Sequence, residues 1–490
     1  MNRNYYSYLF RTYRILIVFF LAMYLCISLL WNLFSVPEVP GIGFYRSANA
    51  AMALSTGLTF VLPVLLFSFV HKRREADLFF ALPMSRKELR LTSIVFAFSV
   101  SYGYWLITVG LAWLFYAGAL YSFPSFLLLA AYAALMLFGL TVIHSFIYLL
   151  ANTVLDGLVL LCAYTMFPFA AFFAELGILD QMIAGFMVSE QPFSALLSPI
   201  FCFWKNYLAL LSKNGWLHET FSVLNFTLAL GYFLLAWVGL WKELDERKAE
   251  RAEMISDHPL SYPTVIHLYL FLSLAVVMSD MTVRKSMSDL IFLVLLLVCY
   301  IAAVFLYRRK LEIRPKNLGI FFGMCAVTFL LLSVTWKTHG FGSAENYSLK
   351  QGEALTYEYS MSADPNDLSK PFDTDFAYVY FTLTIPVNEM DNRQEIISVL
   401  EAYRKEQIET YYAKSGEIGQ GELSVFNTEK RAGEISFNRW IYRPLNGIRE
   451  EDLRKIARDC DVMVRFVKEE NGEFFEQEAD LEDFLKQRNF

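Results

Sequence analysis

The sequence predicts a polytopic α-helical membrane protein, with about nine transmembrane helices followed by a C-terminal α+β extracytoplasmic domain. Three observations predict it. Of 490 residues, 56% are hydrophobic and only 18% charged, whereas soluble domains carry roughly a quarter charged residues. Apolar runs close to the ~20 residues needed to cross a bilayer recur along the chain up to Trp336. Beyond Trp336 those runs stop and an alternation of period two, the mark of half-buried strands, takes over.

Residues 1–14 carry Arg3, Arg11 and Arg14 and form a basic cytoplasmic N-terminal elbow. The apolar run behind them reaches Phe34 without a small-residue cleavage site, so it reads as a retained first span and not as a signal peptide. Spans are expected at 15–34, 48–70, 91–115, 126–150, 157–174, 221–241, 264–279, 290–306 and 318–336. The seventh is short, and charge decides whether it crosses, because cytoplasmic loops collect Lys and Arg. With the N-terminus inside and nine spans, the inside segments hold 18 basic residues and the outside loops hold five: Arg46, Lys205, Lys213, Arg284 and Lys285. Without a crossing at 264–279, Arg308, Arg309, Lys310, Arg314 and Lys316 would move outside. The rule therefore favours nine spans and puts the C-terminal part outside.

The connection from 175 to 220 is apolar but broken by Gly177, Gly185, Pro192 and Pro199, with Trp204 and Trp216 as interface anchors. It reads either as short helices dipping partway into the outer leaflet or as an ordinary capping loop. After the last span, strands are expected at 354–360, 376–385, 422–427, 434–442, 461–468 and 473–478. Asn471-Gly472 is the hairpin signal between the last two. Helices are expected at 389–413, where Ile396, Val399, Leu400 and Tyr403 share a face, and at 449–458. The chain thus divides into the elbow (1–14), a six-span core (15–255), three additional spans (256–336) and a domain of ordinary size (337–490).

Up to Trp336 there are 23 basic and 18 acidic residues, a net of +5; from Lys337 onward there are 19 and 30, a net of −11. With no basic tract outside the membrane loops, nucleic acid is not an expected partner. The six cysteines form no CxxC pair and no disulfide framework. Ion-coupled pumps place paired ionisable groups near mid-membrane, but here Asp156 and Glu175 sit at span ends and His144 stands alone, as packing histidines do. No GxxxxGK[ST], HExxH or GxSxG occurs, so no nucleotide, metal or other cofactor and no enzymatic activity is expected. Energy for any transport must come from another subunit.

The informative stretch is the loop from His71 to Arg90. Ser85 and Glu88 have the spacing of a capping box that starts the helix of the third span. Pro83 separates this start from a helical turn carrying Asp77, Leu78, Phe79, Phe80 and Leu82. A Phe pair exposed among charges is costly unless lipid headgroups or a protein partner cover it. Phe79, Phe80 and Leu82 are the expected anchors on a partner, with Arg86 and Lys87 at the rim.

This loop, reading Leu82-Pro83-Met84-Ser85-Arg86-Lys87-Glu88-Leu89, resembles that of the permease subunits of the type-two exporter class of ABC transporters. The basic elbow, the broken segment between spans five and six and the charged exit from Trp241 to Glu253 extend the resemblance over about the first 255 residues. It implies that the loop carries a coupling helix docking on a separate ABC ATPase, and that two permease subunits, identical or related, form the pathway among membrane lipid. The three additional spans and the outside domain depart from the six-span pattern. A different reading is a polytopic sensor whose outside domain detects a ligand; an ATPase or a kinase found with the purified chain separates the two.

Overall fold

The computed structural model describes residues 2–34, 42–117, 121–183, 193–212, 221–246, 249–256, 258–284, 289–309 and 315–342. Beyond these it describes five strands and the helical positions 398, 405, 408, 409 and 411–413. The helices are α1 (Arg3–Phe34), α2 (Ile42–Phe67), α3 (Arg73–Phe80), α4 (Arg86–Ala112), α5 (Phe123–Leu149), α6 (Val154–Met182), α7 (Pro199–Leu211), α8 (Val223–Glu246), α9 (Tyr262–Arg284), α10 (Asp289–Arg308) and α11 (Pro315–Lys337). Among the described residues, nine of these, all but α3 and α7, are long and apolar enough to cross a membrane. Their apolar side chains are widely exposed, as at Leu290, Ile291, Leu295 and Val298 of α10. Water would not tolerate such a surface, and a bilayer covers it. The chain is a multi-pass membrane protein.

Each spanning helix is longer than its hydropathy run, because backbone hydrogen bonding continues past the apolar residues at one end or both. Residues 3–14 are therefore the first turns of α1 itself, without a break where an elbow was expected. The seventh span is no longer marginal: α9 covers 23 residues.

Two compact units are present, and their borders do not follow the sequence boundaries expected from the spans. One takes residues 1–170, 193–269 and 303–311; the other takes 171–192, 270–302 and 312–490.

In the first unit α2, α4, α5 and α8 enclose a core in which Trp105, Phe96, Met136, Leu140 and Tyr148 are almost wholly buried. His144 belongs to it, its Nδ1 3.2 Å from the Thr59 hydroxyl and its ring edge-on to Phe60. Gly239 lets α8 approach α5 closely: a Cβ there would lie 2.5 Å from the Phe146 ring. On the other side, α9 is tied to α6 by tyrosines. Tyr262 donates to the Asp156 carboxylate at 2.9 Å, and Tyr269 to the Ala163 carbonyl at 2.8 Å.

Of the broken segment, the described residues 193–212 pack against the bundle. A 3₁₀ turn, Phe193–Leu197, leads into α7, which is capped by Ser198. Tyr132, nine residues into α5, donates to the Phe203 carbonyl, and Tyr232, nine residues into α8, donates to the Leu196 carbonyl. The first part of α7 therefore packs alongside α5 and α8. Its far end meets Tyr121, just before α5, which donates to the Leu210 carbonyl at 2.9 Å; burial raises this phenol above its ordinary pKa. Trp204 is half-buried against Tyr207, and Trp216 lies outside the described residues. Lys205 is buried in α7, only 9% exposed.

In the second unit Met182, Ile183, Met278, Val283, Leu332 and Ile408 form a small apolar cluster. Tyr411 and Tyr412 donate to the carbonyls of Gln181 and Met182, and Tyr412 stacks on His339 at 3.9 Å. The strands β1 (Ala354–Ser362), β2 (Tyr378–Pro386), β3 (Leu423–Glu429), β4 (Met463–Glu470) and β5 (Glu473–Asp480) pair antiparallel in the order β3-β1-β2-β4-β5. Glu470 pairs with Glu473, the register that a two-residue hairpin connection imposes. The strand expected at 434–442 and the helix expected at 449–458 lie outside the described residues, as does most of 389–413.

Candidate functional loop between the second and third spans

After α2 the chain makes a 3₁₀ turn, Ser68–His71, and enters α3, an eight-residue helix. Its first turn is held by an ion pair, Lys72 to Glu75 at 2.8 Å. Helical periodicity turns Ala76, Phe79 and Phe80 to one side. Ala76 is buried, Phe79 lies 4.3 Å from the Phe69 ring, and both phenylalanines are half-buried against the core. Arg73, Arg74, Asp77 and Leu78 face away, Leu78 being 68% exposed. Past the helix, Leu82 and Pro83 are also exposed.

Two residues after Pro83 stands Ser85, the N-cap of α4. The Ser85 hydroxyl accepts from the Glu88 amide and the Glu88 carboxylate accepts from the Ser85 amide, each at 3.2 Å. This reciprocal pair satisfies two otherwise orphaned donors, and it fixes the angle at which the loop leaves the helix.

The expected residues therefore separate into two groups. Asp77, Leu78, Leu82, Pro83, Ser85, Arg86 and Glu88 lie at the surface, while Phe79, Phe80 and Lys87 are half-buried. The Phe pair that sequence reasoning put forward as anchors on a partner is half-buried and packs in part against the protein's own core. An i, i+3, i+4 face of Ala76, Phe79 and Phe80 is the inward face of α3. Outward apolar surface comes from Leu78 and Leu82.

Residues remote in sequence complete the site. The Arg86 and Arg90 guanidinium carbons stand 4.5 and 5.7 Å from the centre of the Phe80 ring. Arg90 is wholly buried, and its Nη1 donates to the Glu243 carbonyl, in the last turn of α8, at 3.1 Å. A guanidinium at a helix C-terminus is favoured because the last carbonyls are negative and unpaired. Lys87 Nζ lies 5.4 Å from the centre of the Trp241 ring, and the Glu243 carboxylate faces His258 Nε2 at 3.4 Å.

The segment following α8 joins in. The Glu253 carboxylate accepts from the Arg73 amide at 3.4 Å, while the Glu253 amide donates to the Asn152 carbonyl at 2.8 Å. Ser256 donates to the Leu150 carbonyl at 2.6 Å. Glu253 holds φ 67°, a left-handed conformation costly for this residue type. Three connections, α2 to α4, α5 to α6 and the exit of α8, thus meet at one end of the bundle. His71 fits among them edge-on to the Tyr148 ring at 4.6 Å.

Sequence reasoning missed Arg90, Glu243 and Glu253. One signal was available: Arg90 interrupts an apolar run between Leu89 and Leu91, where a charge is tolerated only with a dedicated partner. Among the described residues no group of three or more His, Cys, Asp or Glu gathers as metal ligands. What the loop offers is a small apolar ridge on a hydrogen-bonded base. Compared with known proteins, the chain matches no family model, no curated protein and no solved structure.

Proposed function

We propose that the chain is the membrane-spanning permease subunit of an ABC transporter, driven by a separate ATPase and exporting or extracting an amphipathic, lipid-linked or peptide substrate. It works beside a second permease subunit, identical or related, in a bacterial cytoplasmic membrane. Its N-terminus faces the cytoplasm, and residues 337–490 form an α+β domain outside. The observation that carries the reading is the loop between α2 and α4: a short helix and a proline, then a capped helix start, held rigidly from behind and offering Leu78 and Leu82 outward. A partner's power stroke can be transmitted only through an element that is both stiff and accessible, and this loop is both.

Purification from its native membrane in mild detergent tests the proposal. The intact chain should bring down an ATPase whose activity it stimulates. Changing Leu78 and Leu82 together to Asp should preserve membrane abundance and weaken capture by roughly thirtyfold or more, the effect of losing one central interface anchor worth about 2 kcal/mol. Wild-type chain that arrives without any ATPase would overturn the reading.

The sensor reading keeps one supporting observation. The hydroxyls of Tyr411 and Tyr412 bond to carbonyls at the end of α6, a route by which a ligand-induced change in the C-terminal part could reach a spanning helix. A kinase or regulator purifying with the chain in place of an ATPase would favour it.

A further inference from the structure

We infer that Arg90 is a positioning residue that locks the loop between α2 and α4 to the end of α8, so that the two move as one body. This rests on the transporter reading only for what pushes the loop; the lock itself is a property of the first unit.

Three features carry it. Arg90 is wholly buried, and burying a guanidinium is costly unless it is held by hydrogen bonds in good geometry. One end of that geometry is fixed by α8, through the 3.1 Å bond from Nη1 to the Glu243 carbonyl. The other is fixed by the loop, since the guanidinium lies within cation–π reach of Phe80, the residue on which α3 ends. A neighbouring contact runs in parallel, Lys87 over Trp241. Displacing the loop without α8 would strip the buried charge of a partner, so the lower-energy response is joint motion. A load on Leu78 and Leu82 is thereby delivered to a spanning helix that packs on α5 at the core of the bundle. A lysine cannot substitute, because the planar fork that reaches a carbonyl while facing a ring belongs to arginine alone.

Hydrogen exchange on the full-length chain in lipid nanodiscs, read over 77–84 and over 240–246, tests the lock. With Arg90→Met, and equally with Arg90→Lys, both segments should exchange roughly tenfold faster or more, the change expected from losing one charge-assisted hydrogen bond. Phe80→Leu cuts the loop end alone and leaves no new buried cavity of size, so it decides the matter should the arginine variants fail to accumulate; it too should loosen both segments. Loosening confined to one segment, or protection unchanged in both, would overturn the lock. In the transporter, Arg90→Lys should keep the ATPase bound yet lose its stimulation, a split that a general folding defect does not produce. Retained stimulation in Arg90→Lys would likewise overturn it, whereas absence of any ATPase on the wild type would count against the transporter reading and leave the exchange result standing.

Discussion

Ser85 and Arg90 sit five residues apart, and only one could be understood from the sequence. The partner of Ser85 is Glu88, three positions on, so the capping box is legible from spacing alone. Replacing Ser85 with Ala removes the acceptor for the Glu88 amide and should cost about 1 kcal/mol. The expected outcome is normal membrane abundance with roughly fivefold faster exchange of the amides of residues 86–89; unchanged exchange would mean that the cap contributes nothing. Arg90, by contrast, finds its acceptor at Glu243, across most of the first unit, and nothing local identifies it. Phe79 and Phe80 show the same limit from the other side. Their hydrophobicity was plain, but whether a partner or the protein's own core covers them depends on which way a short helix rolls.

At the scale of elements, α7 is the one whose place required the structure. Its apolar run is too short to cross a membrane, and composition left a dipping helix and a capping loop equally open. Asn206 decides how it is held: its Nδ2 donates to the Ser222 carbonyl at 3.0 Å, and its Oδ1 accepts from the Ser222 amide at 2.8 Å, clipping α7 to the start of α8. Asn206→Leu should strand the buried Ser222 amide at about 1–3 kcal/mol, the Ser222 carbonyl keeping the Phe226 amide, and lower the unfolding temperature in detergent by several degrees. No change in that temperature would show that the clip is replaceable. Helix contact through Gly239 gives a second test. Gly239→Ala places a Cβ where the Phe146 ring lies and should cost about 1–3 kcal/mol by overpacking. Adding Phe146→Leu should recover much of that loss, and strict additivity of the two changes would exclude the contact as its cause.

For the molecule as a whole, the number of crossings sets where the acidic C-terminal part lies. The 18 to five distribution of basic residues and the 23-residue length of α9 agree on nine. A reporter active only in the cytoplasm should therefore stay silent when fused after Phe490 and become active when fused after residue 316. Strong activity at Phe490 would remove one crossing, and α9 would be the first to re-examine. The net −11 of the last 154 residues should also keep this part off anionic headgroups, because like charges repel at the membrane surface.

The sequence by itself determined the solvent and the spans. A composition so poor in charge and runs so long leave a bilayer as the only medium in which the chain is stable, and the positive-inside asymmetry favours an odd number of crossings. It also determined the local devices, namely the capping box, the proline stop and the two-residue hairpin, because each depends on neighbours within a few positions. Tertiary structure alone decided the inward roll of α3, the packing of α7 against α5 and α8, and the convergence of Arg90, Glu243 and Glu253. The convergence joins groups up to 180 residues apart and α7 is held by partners 16 to 89 residues away, and hydrophobic periodicity, which records that a face is buried, does not record what buries it.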